Sequence, residues 1–365
     1  MKKRQLWIGI FITCLCLLAA KIVMADEPTP GVARVSLIHG DVSTMRGDSG
    51  DWVATTVNAP VVRGDKVATG ARSRAELQLD YANILRLDQG SEVKVADLTR
   101  TRIQLQVASG TINFTVLKGT EADVEVDTPN MAVHPLGEGT YRIQVNSPSE
   151  TEVTVRNGEA EVSTPQGSTT VEKNQAIYVK GTETPEYQIA KAAQKDEWDD
   201  WNLDRDRTIE EAQSRSRTNR YYTGAEDLDR NGHWVNVPDY DWCWTPYVNA
   251  GWVPYRDGRW LWEPYWGWTW VSYEPWGWAV PLWPLVLLRE QLVLVARVCD
   301  TLLPSRLGPG LRLLPGIRFR GPQLGVWVWL WVWIDRLVPP GPARRLLALV
   351  GRPQQLQCGE HDKYK

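Results

Sequence analysis

The chain has 365 residues, a formal net charge of −3 and a skewed aromatic set, with 20 Trp against 3 Phe. That length accommodates two ordinary domains with linkers, and a near-neutral balance without a basic stripe argues against a nucleic-acid partner. The four histidines, His39, His134, His233 and His361, are scattered without metal-ligand spacing, and no Ser or Cys stands in a recognisable nucleophile motif, so no metal, cofactor or catalytic activity is expected.

Residues 1–25 read as a secretory signal, with a basic start at Lys2, Lys3 and Arg4, an apolar run from Leu6 to Ala20, and a Val-Met-Ala step before Asp26. Cleavage after Ala25 sends the chain to the periplasm or the cell exterior. Retention of residues 6–20 makes it an inner-membrane anchor instead, and that segment is then the chain's only membrane contact. Thr13 and Leu15 precede Cys14 and Cys16, so a lipobox is not expected, and both cysteines leave with the signal. Of the remaining cysteines, Cys299 and Cys358 lie in a doubtful tail, which leaves Cys243 without an evident disulfide partner.

Residues 32–182 alternate apolar and polar positions in short runs such as "RAELQL", "EVKVA", "RIQLQV", "TYRIQV" and "TEVTV", broken by Gly, Asn, Asp and Pro. Period-two alternation in runs this short marks strands with one buried face, so the segment is an all-β domain. The phrases "HGDVS", "VVRGDKVATGARSRAELQLDYANILRLDQGSEVKV", "VASGTINFTV", "VEVDTPNMAVHPLGEGTYRIQV" and "TEVTVRNGEAEVST" resemble, in this order, the FecR domain family. The resemblance implies twisted antiparallel sheets, as a sandwich or short solenoid, with Gly64-Asp65, Gly110, Gly137, Gly139 and Thr140 at turns and strand entries. Namesake members relay a signal to a sigma factor through a cytoplasmic segment ahead of a membrane helix. Here only Met1 to Gln5 precede the apolar run, so the anti-sigma role is not expected.

Residues 185–226 change to Ala, Glu, Asp, Arg and Lys, which predicts a charged helical connector, with a helix across Ile189 to Arg215. Trp198 and Trp201 share one face of it, docked on a β-surface, with a solvated charged side outside. "DLDRNG", residues 227–232, matches the opening of a calcium loop, but Pro238 stands where the bidentate carboxylate belongs, so an ordinary turn is the favoured reading.

Residues 227–279 repeat with a period of 26: Asn231-Gly232-His233-Trp234 becomes Asp257-Gly258-Arg259-Trp260, and Pro238, Trp242, Trp244, Tyr247 and Trp252 return as Pro264, Trp268, Trp270, Tyr273 and Trp278. Each unit reads as a β-hairpin with an aromatic face. One unit is too thin to be stable alone, so units are expected to stack on each other or on the β-domain. The arrangement resembles a Trp/Tyr/Gly-rich module of unknown function found after FecR domains in exported bacterial proteins. The indoles are either the core of thin hairpins or a platform for sugar rings made by Trp260, Trp262, Trp268, Trp270, Trp276 and Trp278, with Arg256, Asp257 and Glu274 as polar neighbours. The expected partner is accordingly an unidentified envelope protein or a polysaccharide.

The repeat stops at Val280, and residues 280–365 read as the same gene out of frame. Val280 to Leu285 is encoded GTN-CCN-CTN-TGG-CCN-CTN, and the frame one nucleotide later permits Tyr-His-Tyr-Gly-Arg-Trp. Loss of two nucleotides near codon 280 puts that Gly-Arg-Trp at 284–286, one period of 26 after Gly258-Arg259-Trp260. The same shift turns "GVWVWLWVW", residues 325–333, into a run that permits alternating Gly and Phe. A poorly ordered tail without a function of its own is expected; the alternative is a genuine third domain or membrane segment.

Overall fold

The computed structural model describes residues 29–237, 241–249, 252, 256–263, 267–278, 285–288 and 291–295. Residues 1–25, where a signal is expected, and most of residues 280–365 lie outside the described residues. No helix among the described residues is long and apolar enough to cross a membrane.

The β-domain is a sandwich, and the alternation in its sequence explains why. Along Gly139–Val145 every second residue is buried, and in Glu92–Leu98 the alternation of Val93 and Val95 is interrupted by a register shift before Leu98 is buried, so each strand offers one mainly apolar face. Those faces meet in one hydrophobic core drawn from both layers, with Leu77, Leu85, Phe114, Tyr141, Val153 and Ile177 on one side and Val67, Val95, Leu105, Val126, Val133 and Val162 on the other.

The first layer runs Pro60–Val61, Ala33–His39, Arg74–Gln78, Asn83–Leu87, Arg102–Val116, Gly139–Ser147, Glu150–Asn157, Gln175–Lys180 and Glu186–Lys191. The second runs Trp52–Ala54, Val42–Met45, Lys66–Thr69, Glu92–Leu98, Arg102–Val116, Asp123–Asp127, Ala132–Pro135, Glu159–Thr164 and Gly167–Glu172. Pairing is antiparallel except between Asp123–Asp127 and Arg102–Val116.

The strand Arg102–Val116 belongs to both layers: its first half pairs in the second and its last half in the first. It changes layer at Gly110, whose φ of +87° is open to glycine without strain. A Cβ there would sit 2.4 Å from Ser91 Oγ. That hydroxyl accepts from Thr111 N at 3.0 Å and donates to Thr111 O at 2.9 Å, which also accepts from Asp88 N at 2.9 Å, so Ser91 is tied to the crossing. Gly110 thus lies within a continuous strand and not at the expected turn, whereas the turn expected at Gly64-Asp65 is present, with Asp65 accepting from Gly47 N at 2.8 Å and Val62 N at 3.0 Å.

The connector departs from expectation. Residues 186–191 are a strand, not helix, and complete the first layer; the helix proper is Glu197–Glu210, followed by a 3-10 turn at Gln213–Ser216 and a short helix at Ala225–Asn231. The helix starts at Asp196 because its carboxylate accepts from Asp199 N while the Asp199 carboxylate accepts from Asp196 N, a reciprocal capping box. "DLDRNG" is therefore largely helical, and its carboxylates already have partners. Asp227 pairs with Arg34, and Asp229 accepts from Gln213 N at 2.7 Å and Ser214 N at 3.1 Å.

Both tryptophan units are hairpins, Gly232–Val237 with Asp241–Pro246 and Gly258–Glu263 with Gly267–Ser272. Their registers coincide under the repeat: Trp234 faces Trp244 as Trp260 faces Trp270, and Gly232 faces Pro246 as Gly258 faces Ser272. Within the tail, Leu285–Leu288 and Gln291–Val295 form a further hairpin that adds to the strand Asp241–Pro246.

Candidate functional site

The outer face of the first layer is polar where a solvated sheet face would be expected to stay wet, yet it is buried. Register places Glu76 beside Arg86, Arg86 beside Asn113, Asn113 beside Arg142 and Arg142 beside Thr154, so one row of polar side chains crosses successive strands. The helix Glu197–Glu210 lies on this row. Its buried residues Asp199, Asn202, Asp206 and Ile209 follow a 3-4-3 spacing, which is one helical stripe. The expectation of a solvated charged side is thus corrected at these residues: the arginines opposite draw the carboxylates inward.

The pairing is dense. Arg142 Nη1 donates to Asp196 at 2.7 Å, and Arg156 holds Asp199 through Nε at 3.1 Å and Nη2 at 2.5 Å. Arg86 bridges Glu76, at 2.8 Å through Nε, and Asp206, at 2.7 Å through Nη1. Arg205 reaches from the helix to the same Glu76 at 2.7 and 2.9 Å. Two residues along the strand from Glu76, where Gln78 pairs in register with Arg34, Arg34 pairs with Asp227 and Gln78 donates to Glu226. Trp198 and Trp201 stack at 5.1 Å, and the guanidinium of Arg74 lies over both rings, at 5.1 and 5.4 Å.

These environments move pKa values in opposite directions. Burial pushes the Glu76 carboxyl up, but the Arg86 and Arg205 guanidiniums outweigh it and bring it down from 4.5 to about 2. For Asp206 burial wins over Arg86, and its pKa is raised. Burial likewise raises Glu226, against the pull of Arg34.

The tryptophan module is fastened to this assembly through its indole N–H groups. Trp234 donates to Ser214 Oγ at 2.7 Å, Trp244 to Leu228 O at 3.0 Å and Trp278 to Thr223 Oγ1 at 2.6 Å. Asn58, on the β-domain, donates to Ser272 O at 3.2 Å and to Glu274 O at 2.7 Å, and receives Arg34 Nε at 3.1 Å. The conserved spacing of Gly and Trp within the repeat has a steric reason. A Cβ on Gly232 would lie 2.4 Å from the Trp244 ring, and one on Gly258 would lie 2.5 Å from the Trp270 ring, so each indole rests on a glycine backbone.

Of the six tryptophans named as a platform, Trp260 and Trp262 are exposed, at 37% and 53%, on the same face of the second hairpin. Trp270 is half-buried on that face and meets Trp260 edge-on at 5.5 Å. Trp276 and Trp278 are buried, and Trp276 packs against Trp244 at 5.9 Å. The backbone of Trp268 lies opposite Trp262, while its side chain is outside the described set. Arg256 and Asp257 are exposed near the hairpin start, and Glu274 accepts from Trp252 Nε1 at 2.9 Å. The sequence reading missed Trp242 and Arg217, whose guanidinium sits 4.3 Å over that exposed ring. Among the described residues no cluster of three or more His, Cys, Asp or Glu could hold a metal ion.

Residues 65–161 match the FecR protein family, and residues 225–283 match a family of unknown function, DUF6600. The chain thus carries a FecR domain followed by a DUF6600 region. The sandwich extends beyond the matched stretch on both sides, from Ala33 to Lys191. Two solved structures of a protein assigned as an anti-sigma factor from Parabacteroides distasonis ATCC 8503, at 1.65 and 2.50 Å resolution, are similar to 35% of this chain at 19% identity and a TM-score of 0.31. The chain spans 59% of their length, and a likeness this weak carries no role across. No curated protein matches the chain.

Proposed function

We propose that this is a non-catalytic regulatory or scaffolding protein of the cell envelope, in which the FecR domain and the DUF6600 region act as one body. The observation that carries this reading is the use to which the ionisable groups are put. Glu76, Arg86, Arg142, Arg156, Asp199, Arg205 and Asp206 face one another across the sheet–helix contact, where they fasten elements together. The FecR domain supports a regulatory role at the level of the family. Export, with cleavage after Ala25, is part of the proposal and rests on the signal-like start.

A second reading has its own support: Trp260 and Trp262 present two exposed indoles on one hairpin face, a surface suited to the apolar face of a sugar ring. One experiment separates the two. The purified chain and its Trp260→Ala/Trp262→Ala form are passed over peptidoglycan and exopolysaccharide, and a deletion strain is profiled for envelope transcripts. Retention lost in the variant at unchanged melting temperature selects the glycan reading. A transcript response restored equally by both forms, without retention, selects the regulatory one. Neither retention nor a transcript response removes both.

A further inference from the structure

The strand Glu186–Lys191 ends the first layer, and among the described residues it pairs on one side only, with Gln175–Lys180. Among the described residues its other side is an open row of backbone donors and acceptors. Edges of this kind are usually blunted by proline, charge or a bulge. The opposite end of the layer does carry Pro60. This one has Pro185 and Glu186 at its start and Lys191 at its end, but Tyr-Gln-Ile-Ala between them carries none of these devices, and five of the strand's six residues are exposed.

The register fixes which groups point outward. Ala192 N donates to Asn174 O at 2.8 Å, and 192 and 174 continue the pairing of Lys191 with Gln175. Bonded positions alternate in an antiparallel ladder, so residues 186, 188 and 190 turn their backbone groups inward. Tyr187, Ile189 and Lys191 turn theirs to the open side. Tyr187 and Ile189 also stand on the core-side face, beside Val179 and Ile177, and overhang the core at 56% and 37% exposure.

We propose that this edge is a self-association site, on which a second copy of the chain pairs antiparallel about a two-fold axis at Gln188. A two-fold axis normal to the sheet requires directly opposed residues to share a face, so residue numbers of like parity pair. With Gln188 opposite its own copy, Tyr187 faces Ile189 of the second copy, and Ile189 faces Tyr187. Both are positions whose N–H and C=O point outward, so each pair closes two backbone hydrogen bonds. Both are also aromatic–β-branched contacts on one face, a favourable cross-strand combination. Glu186 falls opposite Ala190, so no like charges meet. An interface of one strand pair is small by the standard of stable complexes, and the dimer is accordingly concentration-dependent.

The test uses the full chain in sedimentation velocity over a hundredfold dilution series, with disulfide trapping under mild oxidation. The expected result is an apparent mass that doubles at the concentrated end and stays monomeric in Ile189→Lys. Gln188→Cys should cross-link into a dimer well above the background set by the parent chain's own cysteines, because its two copies face each other in a non-hydrogen-bonded pair. Ile189→Cys should not. Circular dichroism of each variant verifies the fold, and the Gln188→Cys result stands even where Ile189→Lys fails to fold. A chain that is monomeric throughout overturns the proposal, as does a dimer that survives in folded Ile189→Lys. Cross-linking at 189 in place of 188 overturns the register.

Discussion

Glu76→Gln is the most direct test of the clasp between sheet and helix. Glu76 is fully buried and accepts from Arg86 and Arg205, and the substitution leaves both guanidiniums facing a neutral amide. Breaking a buried pair in this way costs about 3–5 kcal/mol at neutral pH. The pKa gives an independent magnitude: a fall from 4.5 to about 2 corresponds to about 3 kcal/mol of stability contributed by the ionised form. The folded value is the lower one, so this stability is present above the unfolded value and is lost as pH falls through about 2. Urea denaturation of both proteins, followed by circular dichroism from pH 7 down to about pH 3, should show the gap between them shrinking by about 2 kcal/mol. Glu226, raised by burial, contributes the opposite slope in both proteins and cancels in the difference, whereas Asp206 is raised in part by the Glu76 charge, so its opposing slope weakens in the variant. A gap under about 1 kcal/mol at pH 7, or one that does not change with pH, would refute the reasoning.

Trp244→Ala should cost about 3–5 kcal/mol, because the ring is wholly buried and its N–H is bonded to Leu228 O, whereas Trp262→Ala should stay within about 1 kcal/mol; equal losses in denaturation would contradict the assignment of core and surface. Gly258→Ala drives a methyl against the Trp270 ring and should destabilise the second hairpin by about 1–3 kcal/mol, read as faster amide exchange across residues 258–272 than elsewhere. Mass spectrometry of the envelope form should find a chain beginning at Asp26; an intact Met1 would favour the anchored alternative. Resequencing the locus should reveal a two-nucleotide loss near codon 280, and a confirmed frame with stops in the plus-one frame downstream would end the frameshift account.

The strands were legible because the apolar side chains in runs such as Tyr141–Val145 are buried at every second position, so the period survives folding. The hairpins were legible because a period of 26 preserves cross-strand partners as well as residue types. Sandwich and solenoid could not be told apart, since what distinguishes them is long-range pairing such as Ala33–His39 with Arg74–Gln78. The strand Glu186–Lys191 was misread because its Ala and Lys favour helix in isolation, and only a free edge beside Gln175–Lys180 makes it a strand. The helix's polar stripe was visible as spacing, but carboxylates are ordinarily solvated, and nothing local to Asp199 or Asp206 announces the arginines far earlier in the chain. Burial of individual indoles was illegible for the same reason: alternation assigns a shared face, while the cover over Trp244 comes from Trp276 in the next unit.

The arginine row also bears on how the protein should be cut for study. A boundary placed after residue 182 looks natural in the sequence, but it would remove the last strand of the sheet together with every acidic partner that the helix supplies to Arg86, Arg142 and Arg156. What remained would leave Arg142 and Arg156 without the helix's carboxylates and Arg86 with Glu76 alone, a cationic excess that the intact molecule largely covers. Such a fragment would adhere to DNA, heparin and acidic lipid alike, and the salt-sensitive binding it displayed would report the excision and not a ligand.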